Sequence, residues 1–164
     1  MDPAVPELEV LRRAFDAGVR FLLIGRQACM LYGLPVLSFD YDLWASPDPA
    51  NLARLVAAAR EVELTPSVPV ERLRETDFFR LENDRHIDVH KVAFFTAPDG
   101  TRILFDDAWA RRVEMRDAPA GLVIPVPALE DLIVTKLVGR RKKDLEDVKA
   151  LRVVLELRQR GAGG

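Results

Sequence analysis

The stretch that most constrains this chain is residues 21–46, FLLIGRQACMLYGLPVLSFDYDLWAS. A short apolar run closes on Gly25, a helix-like segment follows, and an apolar strand then opens on Asp40-Tyr41-Asp42. Residues two apart on a strand face the same way, which sets the two carboxylates close together. Like charges at that distance repel, and each carboxylate costs free energy to desolvate. Aspartate is also depleted in strands, so two on one face demand a reason. A divalent cation removes both penalties, and hard oxygen donors suit Mg²⁺ or Mn²⁺. The competing reading is an Asp-x-Asp that merely initiates a turn or caps a helix; the strand–glycine–helix context favours the metal.

A second acidic strand lies downstream, Arg85-His86-Ile87-Asp88-Val89-His90-Lys91. Alternation puts His86, Asp88 and His90 on one face, with Ile87 and Val89 on the other. Three readings compete, in this order: Asp88 as a third carboxylate, a solvated polar face, and a zinc site built on the two histidines.

The rest of the pattern is α+β. Residues 6–17 carry apolar positions at helical spacing with Pro6 in the first turn. Residues 19–24 read as a buried strand, 27–32 as a short helix, 41–45 as the second strand and 51–61 as an alanine- and leucine-rich helix. Two prolines make 65–70 a loop. Residues 77–81 and 86–92 form a hairpin about Asn83-Asp84, and Ala97-Pro98-Asp99-Gly100 is a turn. Residues 105–111 give a short helix, and 113–115 and 122–124 short strands. Two C-terminal helices follow at 127–138 and 142–158, the second with Leu145, Val148, Leu151, Leu155 and Leu157 facing inward.

At 164 residues this is one domain spanning 1–160 with a disordered tail at 161–164. Its core covers about 19–125, a mixed sheet flanked by helices, and the C-terminal helices of 127–158 pack on it. A net charge of −2 excludes a global basic field for nucleic acid. The lone Cys29 cannot form an internal disulfide and reads as a buried structural thiol in a cytoplasmic protein. No apolar run approaches the roughly 20 residues that span a bilayer, so no membrane partner is expected.

Two further segments border the acidic pair. Gly25-Arg26 opens a helix, where unpaired amides and a positive helix end suit an anion; alone, the plain strand-to-helix turn is the better reading. Towards the C-terminus, Glu130-Asp131-Leu132-Ile133-Val134-Thr135-Lys136 leads into Lys143-Asp144-Leu145-Glu146-Asp147-Val148. Lys136 is one cation in a largely apolar helix; snorkelling to solvent and contact with a phosphate are equally open. Arg140, Arg141, Lys142 and Lys143 form the one dense basic run, either a solvated helix junction or the place for an RNA contact.

Taken together, Gly25, Asp40-Tyr41-Asp42 and the later Asp88 resemble the three-carboxylate pattern of the DNA polymerase beta-type nucleotidyltransferase superfamily. The Lys136-to-KDLEDV ending resembles a subset of minimal members that includes AbiEii-type toxins of abortive-infection and toxin–antitoxin systems. The resemblance runs from about residue 21 to 151. It implies Asp40, Asp42 and Asp88 as catalytic metal ligands for Mg²⁺ or Mn²⁺, and Gly25, Arg26, Ser38, Lys136 and Asp144 (or Asp147) around a nucleoside triphosphate. It implies transfer of a nucleoside monophosphate to a hydroxyl of tRNA, of a protein such as a partner toxin or antitoxin, or of a small molecule. Arg26 stands where the pattern has a small residue, and Val36 where many members carry arginine. These departures define the alternative, a catalytically weak binding or regulatory partner with the same fold.

Overall fold

The computed structural model describes residues 5–117, 121–139 and 141–162. Arg140 of the basic run and Gly163 and Gly164 of the tail lie outside them. The apolar spacing after Pro6 closes as helix α1 (Pro6–Asp16), which buries Leu8, Val10, Leu11 and Ala14. Strand β1 (Phe21–Ile24) is buried along its whole length and runs straight into α2 (Gly25–Leu31). Strand β2 (Tyr41–Ala45) and helix α3 (Pro49–Arg60) follow, α3 starting on an Asp48 cap and Pro49.

The edge of the sheet departs from the sequence pattern. Residues 65–70, read as loop, contain a two-residue strand β3 (Thr65–Pro66), and a 3₁₀ turn runs over Val70–Glu75. Proline cannot donate in a ladder, so such a strand survives only at an edge. Strands β4 (Phe78–Glu82) and β5 (His86–His90) form the expected hairpin. A second hairpin, β6 (Phe94–Thr96) and β7 (Arg102–Leu104), turns through the 97–100 segment. Helix α4 (Phe105–Ala110) leads to a third, β8 (Val113–Asp117) with β9 (Leu122–Val126). Two helices end the chain, α5 (Leu129–Gly139) and α6 (Lys142–Ala162).

The main sheet has the order β1-β2-β5-β4-β3, with β2 and β5 parallel and every other pair antiparallel. α1 and α3 pack together, α1 and β1 contact β9, and α5 and α6 dock against α2. Trp44, Phe21 and Phe79 anchor the core, and the Trp44 indole donates to the Val92 carbonyl at 2.8 Å.

Helix α6 corrects two expectations. It continues through Gly161 and Ala162, assigned above to a disordered tail. Its buried positions are Asp144, Asp147, Val148 and Leu151, an i, i+3, i+4, i+7 stripe. That stripe is turned away from Leu145 and Leu157, which are exposed; Leu155 stays packed against the core. Two aspartates occupy inward positions that hydropathy alone assigns to leucine, because cations on α2 and α5 meet them there.

Candidate functional site

Pairing places the acidic residues. Asp42 lies opposite Ile24 on β1 and opposite Asp88 on the parallel neighbour β5. The Asp42 carboxylate lies against Gly25 at the start of α2, and Asp88 lines the same cleft. Alternation on β5 holds: Ile87 and Val89 are fully buried, while His86, Asp88 and His90 are half-buried on the other face. Asp40 sits one residue before β2 begins, so it is a rim residue and not a strand residue as its spacing suggested. Its side chain is 70% exposed, against 28% for Asp42 and 21% for Asp88.

Gly25 makes the close approach possible. It has φ +71°, and a Cβ there would lie 2.6 Å from Asp42 Oδ2. Any larger residue would be strained in backbone and would push the carboxylate away. Gly139, at the end of α5, does the same for Asp144, whose Oδ2 lies 2.5 Å from where a Cβ would stand.

Opposite the carboxylates stands a cationic wall. Lys136 Nζ is buried, 2.8 Å from Asp147 Oδ2 and 3.5 Å from Asp144 Oδ1. Arg26 Nε reaches Asp147 Oδ2 at 3.2 Å, and Arg141 Nε reaches Asp144 Oδ2 at 2.9 Å. Asp144 also accepts from the Arg141 backbone N–H, which closes the first turn of α6 in the manner of a capping box. Burial alone would raise the Asp144 carboxyl, but the Arg141 hydrogen bond and the Lys136 charge outweigh it and hold it below the usual range. The Arg141 guanidinium is correspondingly raised, chiefly by its bond to Asp144. Cys29 is fully buried and its thiol is pushed up to about 11, above all by desolvation, so it is a structural residue.

Between the two walls runs a cleft of about 250 Å³ lined by Gly25, Ser38, Asp40, Asp42 and Asp88 and by the cations Arg26, Lys136, Arg141 and Lys143. A second lobe of about 160 Å³ continues past Asp42 and Lys136 to Asp144. Gly25, Arg26, Ser38, Asp40, Asp42, Asp88, Lys136 and Asp144 therefore border these two adjoining lobes; Asp147, the alternative to Asp144, lines neither and is paired with Lys136 and Arg26. The Ser38 hydroxyl accepts from the Asp40 backbone N–H, and Gln27 holds the Ser38 carbonyl at 2.6 Å. Ser38 thus shapes the rim loop, a role its residue type alone did not indicate.

Several residues at this site were not nominated for it. Arg141 and Lys143 line the cleft from a run read only as basic. His90, weighed as a zinc ligand, lies in both lobes, 3.9 Å from Asp42 Oδ1 and against the Phe78 ring. Arg80, on β4 opposite Asp88, donates to Asp88 Oδ1 at 2.8 Å. The signal for Arg80 was its place in the hairpin register.

Asp42 and Asp88 offer the oxygen donors that a hard cation takes. Among the described residues no group of three or more His, Cys, Asp or Glu is arranged to hold an ion, whether as three carboxylates or as the histidine face. That is compatible with Mg²⁺, which commonly rests on one or two carboxylates and takes its remaining ligands from water and substrate phosphates.

No family model matches the chain, and no curated protein matches it. Among solved structures, the crystal structure of a putative nucleotidyltransferase from Thermotoga maritima superposes with a TM-score of 0.55 at 22% identity, covering 92% of each chain. The fold is nucleotidyltransferase-like. Within that fold the described helices include none long and apolar enough to cross a membrane.

Proposed function

We propose that the cleft binds a nucleoside triphosphate with a divalent cation and transfers its nucleoside monophosphate to a hydroxyl. One observation carries this reading: paired carboxylates on adjacent parallel strands face a wall of cations across a single cleft. A metal–triphosphate has the complementary charge pattern. Asp42 and Asp88 would hold the cation, with Asp40 at the rim, and Gly25 leaves the space they need. Arg26, Lys136, Arg141 and Lys143 would hold the phosphates. A Mg²⁺ or Mn²⁺ held there would supply neutralisation of charge on the attacking and leaving oxygens. The acceptor oxygen bonds to the α-phosphorus, the bond to the β-phosphate breaks and pyrophosphate leaves. The hydroxyl proton passes to Asp88 and on to solvent.

The acceptor belongs to the same proposal: RNA such as tRNA, a protein side chain, or a small molecule, in a toxin–antitoxin setting of the kind the KDLEDV ending implies. Titrating each NTP with Mg²⁺ by calorimetry tests it. Metal-dependent binding is expected in the wild type, weakened on the order of 100-fold in Asp42→Asn with the melting transition retained. Equal affinity in the two proteins would overturn the assignment.

A second reading has its own support. Arg26, Lys136 and Arg141 already hold carboxylates of the same chain. A protein whose cations are committed internally suits a catalytically weak binding or regulatory partner. Absence of binding for all four NTPs, with an obligate heteromeric mass in native spectrometry, would select it.

A further inference from the structure

Asp88 is not free to meet a cation. Arg80 donates to its Oδ1 at 2.8 Å, from the directly opposed position on β4. The backbone of Arg80 is pinned from its other side: its N–H donates to Ser67 Oγ at 2.9 Å, and its carbonyl accepts from Ser67 N at 2.7 Å. The guanidinium therefore starts from a fixed point and spans one strand spacing. Its side chain is 47% exposed while Asp88 is 21% exposed, so the arginine has solvent to move into and the carboxylate does not. Asp42, the in-register neighbour, accepts no such hydrogen bond: His90 lies 3.9 Å away, and Arg141 across the cleft feels its charge.

We propose that Arg80 is a guard on Asp88: a positioning residue whose guanidinium fills the cation's place until nucleotide arrives. The inference rests on the metal–nucleotide reading above. A free divalent ion meets Asp42, with Asp40 out at the solvent-exposed rim, and a positive charge beside Asp88. It gains too little there to displace the arginine. A metal–triphosphate brings phosphate oxygens as further ligands and anchors itself on Lys136, Arg141 and Lys143. That added attraction releases Arg80 from Asp88. The cleft thus takes its cation with the nucleotide and stays nearly metal-free without it.

The test measures Mn²⁺ binding by electron paramagnetic resonance, first with Mn²⁺ alone and then with each NTP present. The proteins are wild type, Arg80→Gln, Arg80→Lys and Asp42→Asn. Arg80→Gln should bind Mn²⁺ alone about fivefold tighter than wild type, the scale of a half-exposed ion pair. The gain should shrink when NTP is present. Arg80→Lys keeps the charge and should stay near wild type, and thermal melts of both variants should match the parent. Mn²⁺ affinity in Arg80→Gln equal to or weaker than wild type, with Asp42-dependent binding intact, overturns the guard and leaves the nucleotide reading standing. Loss of all Asp42-dependent Mn²⁺ binding, with or without NTP, overturns both.

Discussion

The two walls of the cleft are built on opposite principles. The carboxylate wall comes from β2 and β5, is open to solvent, and leaves like charges side by side. The cationic wall comes from α2, α5 and α6, and its central members, Lys136, Asp144 and Asp147, are buried. In the first, Asp88 is answered by the half-exposed Arg80 and Asp40 and Asp42 only by histidines at 3.9 Å, so most of the charge is left for a ligand. In the second, charge is answered within the chain and holds three helices together. Substitutions should therefore separate binding from stability according to wall.

The largest effect is expected at Asp147. Asp147→Ala strips Lys136 and Arg26 of a shared partner and leaves a buried ammonium with only the longer contact to Asp144. Breaking such a pair costs about 3–5 kcal/mol, to be read from urea unfolding. A loss below about 1 kcal/mol would erase the distinction between the walls.

Gly25→Ala strikes the carboxylate wall through the backbone. A left-handed φ costs about 1–2 kcal/mol for a residue with a Cβ, and the new methyl must displace the Asp42 carboxylate. Nucleotide affinity should fall on the order of tenfold as that group is moved, measured by the same calorimetry. A drop in stability with affinity retained would show that Asp42 tolerates displacement.

Acid should then act through the cationic wall. The folded Asp144 carboxyl lies below its unfolded value, which is about 3.9. Its contribution is present above that value and is lost as pH falls through about 4 towards the folded one. Asp144→Asn should flatten the acid limb of a stability–pH profile; an unchanged slope between pH 5 and 3, on the scale of those carboxyl values, would assign the acid limb to other groups. The smallest effect belongs to Lys143, an exposed cation of the cleft. Lys143→Ala should leave stability within about 0.5 kcal/mol while weakening nucleotide binding a few-fold, less so at high salt.

The same contrast explains what could be read in advance. β2 was legible to the residue because an apolar run carries on from Asp40-Tyr41-Asp42, and β5 because its period-two pattern is unbroken. Gly25 was nominated for phosphate contact at a helix start, by resemblance, whereas its close approach to Asp42 needs the β1–β2 register. β6 and β7 are three residues each, too short for a period to declare itself, although the turn between them was plain. Lys136 and the acids of the KDLEDV ending stood out in the sequence, but their pairing with one another did not. Lys136 and Asp147 are eleven residues apart in two helices, and Arg26 and Asp147 are separated by 121. Helical spacing therefore favoured Leu145 and Leu157 as inward residues, when a pair of acids with distant cations filled that stripe.

The parallel pairing of β2 with β5, and the reach from Arg26 to Asp147, also set an order of appearance during synthesis. The first acidic strand leaves the ribosome with only its antiparallel neighbour β1 to pair with. Its acidic counterpart arrives more than forty residues later, and the stabilising helix later still. A nascent chain therefore holds half a cleft for most of its elongation. Any chemistry the finished cleft performs is withheld until α6 has been made.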